Sequence, residues 1–267
     1  MMDRKWSVLL LGIMVSVACR LPAAQASELD SYREMLRSNM YTIRYENLTP
    51  APRVTNRDRM ELFGKSGMAV DENEYFANRP KSGILVGNGK DKYEEVGDAS
   101  FKMCRLTKGD ENFLFTKYEK NGKTEYYGTK KGKVEANSRN FLAELVEGQS
   151  YGDADMSRLL NAMLPDSEKS ADMPRYAYVK GGRLANGLHY EDYQSRTQHE
   201  MNVIRYYFDN HVLVKIAAAS YYRDANGKPN GHKCIIRLTE FSARPDMTLL
   251  ALPEGLRDVT KRKEAKE

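Results

Sequence analysis

The side chains best suited to chemistry in this sequence are its four histidines, which are His189, His199, His211 and His232. Metal sites need His, Cys or carboxylate ligands at recognisable intervals, such as one helical turn or a Cys-x-x-Cys pair. No histidine has a second His or Cys at such an interval, and His199-Glu200 lacks the second His of a zinc-protease helix. The sequence therefore predicts no metal site.

The carboxylates give no catalytic pattern either. Glu191 and Asp192 are neighbours in a strand-like run, and adjacent strand residues point to opposite faces, so they cannot work as a facing acid–base pair. The chain contains no G-x-S-x-G elbow, P-loop or G-x-G-x-x-G motif. We predict a protein that is not an enzyme and that uses no cofactor. A hydrolase remains the least supported alternative, because it needs a cleft with a perturbed carboxylate or His.

Residues 1–26 have the features of a secretory signal peptide. The basic start MMDRK precedes the apolar run WSVLLLGIMVSVA, and Ala24-Gln25-Ala26 forms a small-residue cleavage site before Ser27. The predicted location is therefore the periplasm or cell envelope, with no membrane span in the mature chain. Two alternatives stay open, namely an uncleaved N-terminal anchor and acylation at Cys19.

Two cysteines remain after this segment, Cys104 and Cys234, each in a strand-like run. In an exported chain two cysteines suit one disulfide, so this pair is a candidate bridge. Two buried free thiols are the alternative, because the sequence does not define the geometry that a bridge needs.

The charge pattern excludes a nucleic-acid footprint. The chain has 42 Lys and Arg against 37 Asp and Glu, and the two signs alternate along the sequence. Such a mixed surface is typical of a solvated protein and lacks the basic stripe of a nucleic-acid binder. We predict one domain over residues 27–258 and a charged, solvated tail over residues 259–267. The oligomeric state is left open.

The secondary-structure pattern is mainly β with two helical parts. Leu29, Tyr32 and Leu36 recur at helical spacing after Ser27, which can cap that helix. About ten or eleven strands follow, with Asn121-Gly122 as the strongest hairpin turn. A helical insertion over about 138–165 interrupts them and contains two helices, each with an apolar stripe. The first stripe includes Phe141 and Leu145, and the second includes Met156, Leu159, Leu160 and Met163.

The run NVIRYYFDNHVLVKIAAASYY predicts a hairpin with Asp209-Asn210 at its turn. Alternation places Leu213 and Ala217 on one face of the return strand and Ile216 on the other, and both faces are largely apolar. A sheet that is apolar on both faces is either packed against other elements on both sides or curved around an apolar interior. We predict a strongly curved, open antiparallel β-barrel with the insertion as a two-helix lid over an apolar cavity. The cavity candidates are Ile204, Tyr206, Phe208, Leu213 and Ala217. The alternative is a barrel interior filled by its own side chains.

The element order and the last strand-turn-strand unit resemble the lipoprotein-carrier superfamily, which includes LolA and LolB. The residues that carry this resemblance are Phe241-Ser242, Asp246 and Leu252-Pro253-Glu254-Gly255-Leu256. The resemblance implies an open barrel with a helical lid that binds acyl chains and carries or receives lipidated cargo, without catalytic residues.

Two functions follow as expectations. The first is a cell-envelope carrier or receptor for lipoprotein acyl chains or another amphiphile, with lipid or lipidated protein as its partner. The second is a non-catalytic envelope interaction or scaffold module, with a filled barrel and a protein partner.

Overall fold

The computed structural model of the chain describes residues 27–49, 82–133, 154–164, 169, 174–197, 200–223 and 229–258. Several predicted features lie outside these residues: the signal peptide, Cys19, the first part of the helical insertion with Phe141 and Leu145, and the charged tail. Each of them stays a prediction.

The described residues contain two short helices, α1 (Leu29–Ser38) and α2 (Ala154–Met163). In α1 the side chains of Leu29, Tyr32 and Leu36 are buried, which confirms the predicted apolar stripe. The helix ends at Asn39, whose left-handed backbone (φ 50°) lets its N–H bond to the carbonyls of the last turn.

The strands are β1 (Met40–Asn47), β2 (Ser82–Asn88), β3 (Asp91–Gly97), β4 (Phe101–Lys108), β5 (Glu111–Lys120), β6 (Lys123–Lys133), β7 (Ala177–Arg183), β8 (His189–Arg196), β9 (Glu200–Asp209), β10 (Val212–Arg223), β11 (Pro229–Ser242) and β12 (Arg257–Asp258). They form one sheet in the order β12-β6-β5-β4-β3-β2-β1-β11-β10-β9-β8-β7. The first eleven pair antiparallel, and the two-residue β12 runs parallel to β6. The mainly β, antiparallel prediction is confirmed, but the sheet is not closed over the described residues, so an open barrel stays a prediction.

Positive-φ residues shape two of the hairpins. Asn121 (φ 51°) and Gly122 (φ 70°) join β5 to β6, as the sequence predicts. Asn210 (φ 46°) and His211 (φ 68°) join β9 to β10, so the turn lies one residue later than the predicted Asp209-Asn210. Two consecutive positive φ angles give a turn whose twist matches that of the strands.

A register shift in β10 corrects the predicted faces of this hairpin. Leu213 pairs with Phe208 and Lys215 with Tyr207, so Val214 is an extra residue between them. Such a bulge moves Leu213 onto the face of Ile216, and both are buried in one core. Ala217 lies on the opposite face, beside Arg205. The prediction that Ala217 shares a face with Leu213 is therefore wrong.

The described residues form two buried apolar clusters. We call the larger one the helix-covered core, because it joins α1 and α2 to one face of β1 and β8–β11. The smaller one, the second core, joins β2–β5 to the chain after β11. Neighbouring residues Leu85 and Val86 of β2 belong to different clusters, so the two cores lie on opposite faces of the sheet.

This arrangement rules out the candidate disulfide. Cys104 belongs to the second core and Cys234 to the helix-covered core, and both are buried free thiols. Two cysteines on opposite faces of a sheet cannot reach the Cβ separation of a bridge. Burial raises the pKa of the Cys104 thiol to about 12, which leaves it protonated at neutral pH.

Candidate functional site

The apolar face of β8–β11 is the candidate binding site. Four of the five predicted cavity residues meet there in the helix-covered core: Ile204, Tyr206, Phe208 and Leu213. The described residues of the predicted lid lie in the same core: Met156, Leu159, Leu160 and Met163. These lid side chains are at most 1% exposed, so the described part of the lid is fully buried in this core.

The α1 helix is fixed to this face through Tyr32. Its hydroxyl accepts a hydrogen bond from the Leu213 N–H (2.7 Å) and donates one to the His211 carbonyl (3.2 Å). Its ring packs edge-on against Phe241 at 4.8 Å between centroids. Because the Leu213 N–H is buried and lies before the first residue of β10 that pairs with β11, Tyr32 satisfies a donor that would otherwise lack a partner. Burial raises the pKa of this hydroxyl, so it stays a neutral donor.

The α2 helix has a different attachment. The Arg33 Nε atom of α1 donates to the Met163 carbonyl at 2.9 Å, and the apolar side chains supply the remaining described packing. On its buried surface lies Asn161, whose side-chain nitrogen and oxygen are both buried with no hydrogen-bond partner within the part of the chain that the structure describes. A buried amide without partners costs about 1–3 kcal/mol. The packing of α2 against the sheet is therefore less stable than it would be if its buried surface were wholly apolar.

A group of hydrogen-bonded polar residues lies beside the helix-covered core. Glu191 of β8 is 5% exposed. Its Oε2 accepts hydrogen bonds from Ser27 Oγ (2.6 Å) and Tyr193 Oη (2.9 Å), and its Oε1 accepts one from the Glu28 N–H (3.0 Å). Burial raises the pKa of Tyr193 to about 12, so it acts as a neutral donor. These bonds join the start of α1 to β8.

Glu28 extends this group toward two histidines. Its Oε1 atom lies 2.9 Å from His189 Nδ1 and 3.3 Å from His211 Nδ1. Its Oε2 atom is buried and has no hydrogen-bond partner among the described residues. The sequence does not show that these residues are close together, because they come from three separate segments that only the fold brings together.

The second core also contains a polar group. Glu95 accepts hydrogen bonds from Tyr93 Oη (2.8 Å) and from Lys102 Nζ, and Lys117 Nζ lies 4.0 Å away. Burial acts to raise the pKa of Glu95, but the hydrogen bonds from Lys102 and Tyr93 outweigh it and hold that pKa below its usual value. The Tyr93 hydroxyl also lies 3.6 Å from the Cys104 sulfur, and burial raises the pKa of both groups, which excludes a reactive thiolate at neutral pH.

Glu95→Gln is expected to reduce the free energy of unfolding by about 1–3 kcal/mol at pH 7, the range for losing hydrogen bonds to a charged group. Because the folded pKa of Glu95 is depressed, its contribution is present above the unfolded pKa of about 4.3 and is lost as the pH falls through the folded value. Urea unfolding at pH 7, 5 and 3 measures this. The gap to the wild type should narrow as the pH falls from 7 to 3, and the exposed control Glu119→Gln should show no such pH-dependent gap. A gap that is constant with pH contradicts the assignment.

The opposite face of β8–β10 carries a charged and aromatic surface. Arg205 makes two bonds to Asp192, Nε–Oδ1 at 2.6 Å and Nη2–Oδ2 at 2.8 Å. Its guanidinium stacks over Tyr190 at 4.2 Å, and Lys215 Nζ lies 4.9 Å from the centre of the Tyr207 ring. These hydrogen bonds to Asp192 raise the pKa of Arg205. We call these five residues the outer ladder.

Comparison with known proteins gives no assignment. No family model matches the chain, and no curated protein does. Among solved structures, the chain is similar to PNGF-II in space group C2, with 11% identity and a TM-score of 0.25 over 84% of this chain and 32% of that one. The chain therefore spans about a third of that protein's length. A similarity this low supports no statement about the fold or function of this chain.

Two properties of the described residues limit the class of site. They contain no group of three or more His, Cys, Asp or Glu side chains arranged to hold a metal ion. Within the same ranges, no helix is long and apolar enough to cross a membrane.

Proposed function

We propose that the chain is a carrier or receptor of the cell envelope that binds lipoprotein acyl chains, or another amphiphile, on the helix-covered face of its sheet. The observation that carries the proposal is that two helices cover that face. Its apolar side chains are shielded by α1 and by the separate ten-residue α2, which buries an amide without a described partner. The resemblance of the C-terminal residues to lipoprotein carriers supports the same proposal.

Binding of an acyl chain would replace the apolar contacts between α2 and the sheet with apolar contacts between the ligand and the sheet. A ten-residue helix is too short to be stable alone in water, so α2 depends on its packing against the sheet. An entering acyl chain would replace Leu159, Leu160 and Met163 on the sheet, and each buried CH₂ group contributes about 0.8 kcal/mol. Methionine packs well against partners of variable shape, which suits Met156 and Met163 to a surface that is covered and uncovered. The partners in this proposal are a lipid or lipidated protein and an envelope protein that delivers it.

The proposal is tested by Asn161→Leu. Removing the unpartnered amide should stabilise the closed arrangement by about 1–2 kcal/mol and so weaken uptake of a fluorescent fatty acid about 5- to 30-fold. Titration of the probe against the wild type and the variant measures this. Glu34→Leu, which places the same side chain on the exposed side of α1, is the control and should bind like the wild type.

Native mass spectrometry of the chain from its own host envelope provides the direct observation. A stoichiometric acyl-bearing species is expected. A mass without bound lipid, together with no probe uptake by the wild type, contradicts the carrier proposal.

A second candidate function is an envelope interaction module, and the outer ladder favours it. Tyr190, Arg205, Tyr207 and Lys215 form a partly exposed row of aromatic and cationic groups. Tyrosine and arginine are enriched at the centres of protein interfaces. Loss of an envelope protein partner in Tyr207→Ala, with unchanged fatty-acid uptake, would favour this function.

A further inference from the structure

The buried carboxylate of Glu191 lacks a cation. Ionised carboxylates that are this deeply buried are paired with a positive charge or shift their pKa toward the neutral form. Within the described part of the chain, Glu191 has hydrogen bonds to Ser27, Tyr193 and Glu28 and no salt bridge. The guanidinium of Arg33 lies over the Tyr193 ring at 5.4 Å, but its own bonds go to Asp30 and to the Met163 carbonyl.

Glu191 is the acceptor in each of these hydrogen bonds. Both hydroxyl groups, of Ser27 and Tyr193, donate to the same Oε2 atom, and a backbone N–H donates to Oε1. A carboxylate that only accepts hydrogen bonds satisfies all three donors. A second carboxylate, Glu28, lies in the same group and has one buried oxygen without a described donor. The site is therefore anionic and incomplete.

We infer that cleavage between Ala26 and Ser27 supplies the missing cation, and that the new α-ammonium group of Ser27 pairs with Glu191. The step is hydrolysis by a signal peptidase. Water adds its oxygen to the Ala26 carbonyl carbon, the C–N bond to Ser27 breaks, and Ala26 keeps a carboxylate. The released nitrogen takes a proton from water and a further proton at neutral pH, which makes it –NH₃⁺.

The hydrogen bonds around Ser27 limit how far its α-nitrogen can lie from the carboxylate. The α-nitrogen is three bonds from Ser27 Oγ and three bonds from the Glu28 nitrogen, the two atoms that hydrogen-bond the two oxygens of Glu191. Standard bond lengths keep atoms three bonds apart within about 4 Å, so the α-nitrogen lies no more than about 7 Å from either oxygen. Before cleavage the same nitrogen is an uncharged amide. The cut thus changes a neutral group into a cation next to two buried carboxylates.

The inference predicts a raised pKa for the α-amine. Its ordinary pKa is about 8, and an opposite charge within about 4–6 Å raises it. The titratable and charged groups around Ser27 are its contacts Glu191 and Tyr193, the adjacent Glu28, and the groups that lie against Glu28 or Tyr193, which are His189, His211 and Arg33. Because the folded pKa lies above the unfolded value, the pair stabilises the fold fully below pH about 8, and this contribution is lost as the pH rises through the folded pKa.

The test uses chains of residues 27–267 released from a cleavable tag, one beginning at Ser27 and one beginning with Ala followed by Ser27. Acylation of the α-amine is followed by mass spectrometry of the N-terminal peptide between pH 6 and 10. A pKa raised from about 8 to about 9 lowers the free-amine fraction at pH 8, and so slows acylation, about fivefold. We expect this slowing in the Ser27 chain and its loss in both Glu191→Gln and the Ala-extended chain. Glu34→Gln, an exposed carboxylate of α1, is the control and should leave acylation slow.

Two further results complete the test. The Ser27 chain should melt several degrees above the Ala-extended chain at pH 7, and this difference should disappear at high pH. The exported full-length chain should have a mass that begins at Ser27. Equal acylation rates and melting temperatures for the two chains, or a different first residue, overturn the inference. Because the Ala-extended chain keeps Glu191, the test remains decisive where Glu191→Gln does not fold, and it is independent of fatty-acid uptake.

Discussion

Leu160→Asp is expected to release α2 from the sheet while the sheet keeps its cooperative unfolding. Leu160 is 0% exposed in the helix-covered core, where an unpaired carboxylate costs several kcal/mol. The short helix offers few other contacts to offset that cost. Loss of the helix uncovers the apolar face, so uptake of a fluorescent fatty acid should become at least about tenfold faster, the equivalent of about 1.4 kcal/mol. Stopped-flow uptake measures the rate, and circular dichroism during heating measures the unfolding of the sheet.

The matched control for this change is Val179→Asp, which introduces the same carboxylate at an exposed apolar residue of β7. It should take up the probe at the wild-type rate. A Leu160→Asp protein that loses its cooperative melting would show that α2 is part of the core and not a lid. That result would move the assignment to the interaction module.

Phe208→Ala is expected to have the largest effect on stability, a loss of about 3–5 kcal/mol in the free energy of unfolding. Phe208 is fully buried, and its ring packs between Tyr32 of α1 and His189 of β8, at centroid distances of 6.2 and 6.0 Å. Removing the ring therefore leaves a cavity where the helix meets the strands. Urea unfolding at pH 7 measures the loss.

Val212→Ala in the same hairpin is the control for this experiment. Val212 is 53% exposed, so its truncation should change the free energy of unfolding by no more than about 0.5 kcal/mol. Similar losses for the two variants would mean that Phe208 does not lie in a close-packed core.

Local signals predicted the parts of the fold that depend on neighbouring residues. Asn121-Gly122 identified the β5–β6 hairpin, because its two residues accept the positive φ angles that the turn requires. The spacing of Leu29, Tyr32 and Leu36 identified α1, because one stripe of that helix must be buried. The prediction that the β9–β10 hairpin is apolar on both faces is confirmed for one face only. Burial alternates along β9, and the opposite face carries the charged and aromatic outer ladder.

The remaining features depend on contacts between distant segments. The bulge at Val214 changes which face Leu213 occupies, and its compensating hydrogen bond comes from Tyr32, far away in the sequence. Alternation along β10 alone therefore could not place Leu213 or Ala217. The group around Glu191 was missed for the same reason, since Ser27 and Glu191 are 164 residues apart.

The pairing of β1 with β11 has a consequence for how the chain acquires its structure. β2 to β6 and β7 to β11 are each built from strands that follow one another along the chain. Within the described sheet the two halves are joined through β1, which pairs with β11 from Thr42↔Ser242 to Asn47↔Ile236. Contacts between such distant residues require closure of a very long loop, which slows folding. A chain emerging from a ribosome or a translocation channel can form its local hairpins early. The middle of its sheet must wait until nearly the last strand has emerged.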